Sequence, residues 1–200
     1  MKEIALKIRQ IQWIVWIGLT FSLRLIWAQA SASRIDGIDP ALLARANSGD
    51  AGAEVQVGEL CAAGKGVALD PVAAAGWYTK AAAQGDVSAE LHLAALYRDG
   101  AGKKFPRDME QAASWYRKAA EAGDPGAQGT LGILYAYGQG VPKIGVEAYV
   151  WLEVAASVKS PYQAQYILNR QIVGQRITAD ELSDIQDREV AWKASHRRPD

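Results

Sequence analysis

Trp115-Tyr116-Arg117-Lys118-Ala119-Ala120 decides the fold, because the chain carries the same phrase before and after it. Trp77-Tyr78-Thr79-Lys80-Ala81-Ala82 precedes it, and Trp151-Leu152-Glu153-Val154-Ala155-Ala156 follows in blurred form. The surroundings repeat too. Gly85-Asp86 returns as Gly123-Asp124 and is foreshadowed by Gly49-Asp50, while Gly64-Lys65-Gly66-Val67 returns as Gly138-Gln139-Gly140-Val141. Between those two loops lies Gly100-Ala101-Gly102-Lys103-Lys104-Phe105, longer by two residues. A fixed period in the mid-thirties marks a helical solenoid, in which each unit buries its apolar face only by stacking on the next. The expected fold class is therefore all-α, an α-solenoid of paired helices.

Each unit reads as two helices joined by a glycine loop. First helices are expected after Asp50, Asp86, Asp124 and Ser160, residue types whose side-chain oxygen accepts a free N–H of the first turn. Pro125 and Pro161 follow at the first helical position, where a missing N–H costs nothing. Second helices are expected after Asp70-Pro71 and after Asp108; the third unit has Ile144 there, a weakly marked start. Spacings of three and four place Ala53, Val57, Leu60 and Cys61 on one face, then Ala89, Leu93, Leu96 and Tyr97, then Ala127, Leu131, Leu134 and Tyr135. Cys61 stands where the other units have tyrosine and reads as a small buried apolar residue. Gly58, Ala94 and Gly132 share a position where a small residue recurs, which predicts a close helix crossing.

The expected divisions are a signal peptide at 1–30, an N-terminal capping segment at 31–49, repeats at 50–85, 86–123 and 124–159, and C-terminal capping helices at 160–200. Thr178-Ala179-Asp180-Glu181 reads as a capping box opening a last helix, on which Leu182, Ile185 and Trp192 share a face. At the other end, Lys2, Lys7 and Arg9 precede the apolar run Ile11 to Leu23, followed by Ala28-Gln29-Ala30. That order is the order of a secretory signal. Thirteen helical residues reach about 20 Å, short of the roughly 30 Å of bilayer hydrocarbon. The competing reading is a retained anchor in which Leu25, Ile26 and Trp27 prolong the span past Arg24. Cleavage would place the mature protein in a periplasm or outside the cell.

Lys and Arg balance Asp and Glu at 22 each over the whole chain. Beyond residue 30 the count is 18 against 21, a mild acidity unlike the basic stripe of a nucleic-acid binder. The single cysteine allows no internal disulfide. With only His92 and His196, and no paired Cys-x-x-Cys, a structural zinc site is unsupported. The Gly-x-Gly loops join helices and do not follow strands, so they read as turns rather than nucleotide cradles. No nucleophile elbow or phosphate-binding loop is present. No catalytic, metal or cofactor residues are assigned.

Together these residues resemble Sel1-like repeats, relatives of the tetratricopeptide repeats, in an exported bacterial form. The resemblance rests on the small residue followed by Leu and Tyr, the Gly-x-Gly-Val loop, the Asp before the second helix and Trp-Tyr-x-Lys-Ala-Ala. It covers residues 50–159. It implies a right-handed superhelix acting as an adaptor, with another protein as partner and no small-molecule substrate. Cysteine-rich relatives have been associated with β-lactam binding or hydrolysis, which gives an envelope hydrolase as one alternative; they depend on paired cysteines that this chain lacks. A membrane-tethered organiser, retaining residues 11–27, is the other. If first helices line the inner surface, as in related superhelices, the groove displays Gln56, Glu59, His92, Thr130 and Ile133. Framework positions such as Ala53, Ala89 and Ala127 are identical, whereas Gln56, His92 and Thr130 differ, as surface suited to a partner would. Lys103, Lys104 and Arg107 around Phe105 read as a solvated basic loop. Trp77, Trp115 and Trp151 read as packing between repeats.

Overall fold

The computed structural model describes residues 37–181, 183, 185–187 and 190. The expected signal peptide, and Leu182 and Trp192 of the last helix, lie outside the described residues. Among those described, eight helices follow one another: α1 Pro40–Asn47, α2 Ala51–Ala63, α3 Pro71–Ala82, α4 Val87–Asp99, α5 Met109–Glu121, α6 Pro125–Tyr137, α7 Gly145–Ser157 and α8 Gln163–Gly174. The described residues from 179 to 190 are helical as well. Each helix packs mainly on its neighbours in sequence, and α8 also touches α6. That serial contact is the solenoid.

The starts are written in aspartates. Asp50, Asp86 and Asp124 accept from the backbone N–H of Ala53, Ala89 and Ala127 at 3.0, 2.9 and 2.7 Å. Asp70 and Asp108 each accept from two N–H groups, those of Val72 and Ala73 and those of Glu110 and Gln111. Each satisfies donors that a helix start leaves open, typically worth about 1 kcal/mol. At α7 the cap position is Ile144, which offers no side-chain bond. Gly64 and Gly138 close α2 and α6 in the left-handed conformation, at φ of 63° and 71°.

The start of α8 differs from expectation. Ser160 and Pro161 lie in a turn, and the helix begins at Gln163 after Tyr162. The Ser160 carbonyl accepts the Gln163 N–H, and Gln163 Nε2 donates to Ala156 O at 2.9 Å. That side-chain bond takes up a free carbonyl at the end of α7, which ties the start to Gln163. The expected capping box at Thr178 is formed: its N–H and Oγ1 both donate to Glu181 Oε2 at 2.8 Å.

The core is built of small residues. Ala53, Ala74, Ala89, Ala112, Ala127, Ala148 and Ala155 are fully buried, with Leu93, Leu131 and Leu152 filling between them. Close approach explains the recurring small position. A Cβ on Gly132 would stand 2.7 Å from Leu152 Cγ and 3.1 Å from Ala148 O, while Ala94, at the same place in the preceding unit, is fully buried.

Buried among these alanines, Glu54, Glu90 and Gln128 occupy one equivalent position. Glu54 accepts from Gln84 Nε2 at 2.8 Å, and Gln128 Nε2 donates to Ala120 O at 3.1 Å. Glu90 Oε2 has no hydrogen-bond partner. Burial pushes its carboxyl above the usual range; Asp86 and Glu121 add to the rise, and Lys118 opposes it. A carboxyl raised in the folded state favours folding most below its ordinary range, and that favour is lost as pH rises through the raised value. Glu90→Gln, the amide that the next unit already accommodates, should therefore stabilise the chain at pH 7. The gain should be about 1 kcal/mol, because the amide brings no charge to desolvate, although its oxygen, like Gln128 Oε1, is left without a partner. Urea unfolding of both proteins at pH 7 and pH 4 checks this: the difference should shrink at the lower pH. A variant no more stable than the parent at pH 7 would refute it.

Candidate binding face

Gly58 begins the arrangement. A Cβ there would lie 2.6 Å from Tyr78 Cε1, so its absence lets the Tyr78 ring lie against α2. Tyr78, buried at 3% exposure, stacks on the His92 ring of α4 with centroids 4.8 Å apart and planes 12° apart. His92 Nε2 then lies 3.2 Å from Glu59 Oε1 of α2. Burial, with Glu59 and Cys61 adding, pushes the Tyr78 hydroxyl up to about 12. At neutral pH it remains a phenol.

The pair spans two first helices and stays open to water. The His92 and Glu59 side chains are 37% and 51% exposed. A contact between Glu59 and His92 at that exposure contributes only about 0–1 kcal/mol to stability. Gln56, Glu59 and Tyr78 border one open hollow of about 580 Å³, with Leu42 of α1 and Lys65 on its edges. Sequence-selected Gln56, Glu59 and His92 thus come together.

The other two do not join them. Thr130 donates its hydroxyl to Gly126 O at 2.8 Å, back along its own helix. Ile133 lines a separate, deeper cavity of about 270 Å³, where Leu152 of α7 and Asn169, Ile172 and Val173 of α8 face it. This cavity was missed by the sequence reading, which extended one groove through all three units. Gly129, a glycine inside a helix where the other units have Val55 and Leu91, signals only that α8 packs closely on α6. A Cβ on Gly129 would stand 2.2 Å from Tyr166 Cε1, so α8 seats its buried tyrosine there.

Other singled-out residues have local partners. Cys61 is buried, and desolvation with nearby Asp70 raises its thiol. Phe105 is buried against Tyr97, centroids 4.9 Å apart, which anchors the basic loop. Lys80 Nζ and Lys118 Nζ sit 3.9 and 3.8 Å from the ring centres of Trp77 and Trp115. Among the described residues, no group of three His, Cys, Asp or Glu gathers as a metal site, and no helix is long and apolar enough to cross a membrane.

The chain is similar to proteins of known class. The Sel1 repeat matches it three times, over residues 51–86, 87–124 and 125–158. A solved Sel1 repeat protein from Oxalobacter formigenes is 32% identical, with a TM-score of 0.57; the match covers 64% of this chain and 96% of that one. The protective antigen c5321 of uropathogenic Escherichia coli, which displays an SLR fold, is 28% identical with a TM-score of 0.44. That match covers 74% of this chain and 39% of the antigen. Among curated proteins, none matches the chain.

Proposed function

The chain belongs to the Sel1 repeat family, whose members act generally in protein–protein interaction, and from that premise we propose that it is an adaptor of the bacterial cell envelope or the secreted space. It holds a peptide or one helix of a partner protein against its first helices. The observation that carries this reading is the Glu59–His92 pair on its Tyr78 platform, a polar and aromatic contact between repeats that stays open to water. A few residues usually dominate interface energy, and an exposed group held rigidly on a buried ring can be one of them. Three repeats leave a short face, suited to a single segment of partner. The testing experiment is capture of the native partner from the envelope with Glu59 and His92 both changed to alanine.

The envelope assignment stands on the first thirty residues. Their basic start, short apolar run and Ala28-Gln29-Ala30 motivate cleavage between Ala30 and Ser31. Mass spectrometry of the protein from its native envelope should find Ser31 first. Intact chain alone, confined to the membrane fraction, would instead support the tethered organiser.

A further inference from the structure

We propose that the cavity between α6, α7 and α8 anchors the C-terminal residue of a partner polypeptide, taking a bulky apolar side chain together with its free carboxylate. The inference rests on reading the chain as a polypeptide-binding scaffold and adds the chemistry that one end of the polypeptide must have.

The interior of the cavity is apolar: Ile133 and Ala136 on α6, Leu152 on α7, and Ile172 and Val173 on α8. At about 270 Å³ it lies just below the roughly 300–1,000 Å³ that accept whole small-molecule ligands. It suits one large side chain rather than a long acyl tail. The lining also includes two cations, Lys143 from the loop before α7 and Arg176 from the turn after α8. Both are exposed, and neither has a carboxylate partner among the described residues.

The one acid in the lining, Glu181, is already committed. Its carboxylate accepts both Thr178 donors, and those bonds hold it below its ordinary pKa. It stays ionised but turned to Thr178, so the lining carries two positive charges against one negative. Asn169 directs its side-chain oxygen to Gln165 Nε2 at 3.0 Å, which leaves its amide hydrogens for a ligand oxygen. Tyr137, 71% exposed, flanks the opening as apolar surface for the residues before the terminus to cover.

A neutral internal segment of a peptide would bring no charge for Lys143 and Arg176. A terminal Leu, Ile or Phe brings both properties in adjacent atoms, and charge-assisted bonds from Arg and Lys to a carboxylate are the stronger kind.

The test is fluorescence anisotropy of the full chain with a labelled Gly/Ser decapeptide ending in leucine as the free acid. The same peptide amidated, the peptide ending in serine, and decanoate as competitor complete the set. Amidation and the serine ending should each weaken binding at least tenfold. Lys143→Gln with Arg176→Gln, both on the surface, should do the same and flatten the salt dependence. Ala136→Phe, which fills the cavity, should abolish binding while circular dichroism stays helical. Equal binding of acid and amide, absence of saturable binding, or displacement by decanoate with indifference to the peptide's terminus would overturn the inference. Glu59→Ala with His92→Ala should leave this anchor unchanged. Loss of native capture in that variant, without discrimination between acid and amide here, would sink the anchor alone; the reverse pattern would sink the Glu59–His92 reading alone.

Discussion

Trp115→Ala should lower the stability of the chain by about 3 kcal/mol, the low end of the range for removing a packed tryptophan, because the ring is half-buried. Its expected effect exceeds that exposure because of where it stands. Trp115 packs against the N-terminal cluster, which holds Leu93 and Phe105, and also against the central cluster of Tyr116, Leu131 and Tyr135. Solenoid stability is approximately a sum of unit terms and nearest-neighbour interfaces, so a residue shared by two clusters supports both and their coupling. The melting midpoint should fall by roughly 6–12 °C, at about 2–4 °C per kcal/mol for a chain of this size. The transition should also broaden as the two halves separate. Leu69→Ala, at a residue 66% exposed, serves as the control and should stay within about 0.5 kcal/mol of the parent. If Trp115→Ala melts like the parent, the ring is not joining the repeats and the packing reading of Trp115 is wrong.

What could be read in the sequence was whatever each unit solves identically. Asp50, Asp86 and Asp124 recur because every first helix leaves the same N–H groups open. Gly58, Ala94 and Gly132 recur because a second helix packs closely at that position in each unit. A period conveys position within a unit but not how neighbouring units meet. Hence the burial of Glu54, Glu90 and Gln128 was not legible: two carboxylates and an amide on a helix ordinarily read as solvent face. For the same reason the row of Gln56, Glu59, His92, Thr130 and Ile133 was read as one groove. In the structure Glu59 meets a histidine, whereas Ile133 faces a cavity, and the difference comes from the next helix: α4 offers a polar ring, and the degenerate α8 leaves a gap. The α8 start illustrates the other limit. Ser160-Pro161 matches the pattern of a cap, but a long-range bond from Gln163 to Ala156 O sets the boundary.

Changing Glu59 and His92 together to alanine should weaken capture of the native partner at least severalfold while leaving the helical signal intact and lowering the melting midpoint by no more than several degrees. The stability half follows from exposure. Both side chains reach water and their contact contributes about 0–1 kcal/mol, while loss of the His92–Tyr78 stack adds about 0.5–1.5 kcal/mol. The binding half follows from geometry. A contact near the centre of an interface can be worth above about 1 kcal/mol, which is roughly fivefold in Kd, and the touching pair together should lose at least that. Single variants sharpen the reading, since Glu59 and His92 touch and their effects should not add. His92→Ala alone also uncovers the face of Tyr78, so Tyr78 should then become more accessible to solvent-borne fluorescence quenchers. A folded double variant that captures its partner undiminished would remove this face from the function. The loop of Lys103, Lys104 and Arg107, held in place by buried Phe105, would be the next surface to test.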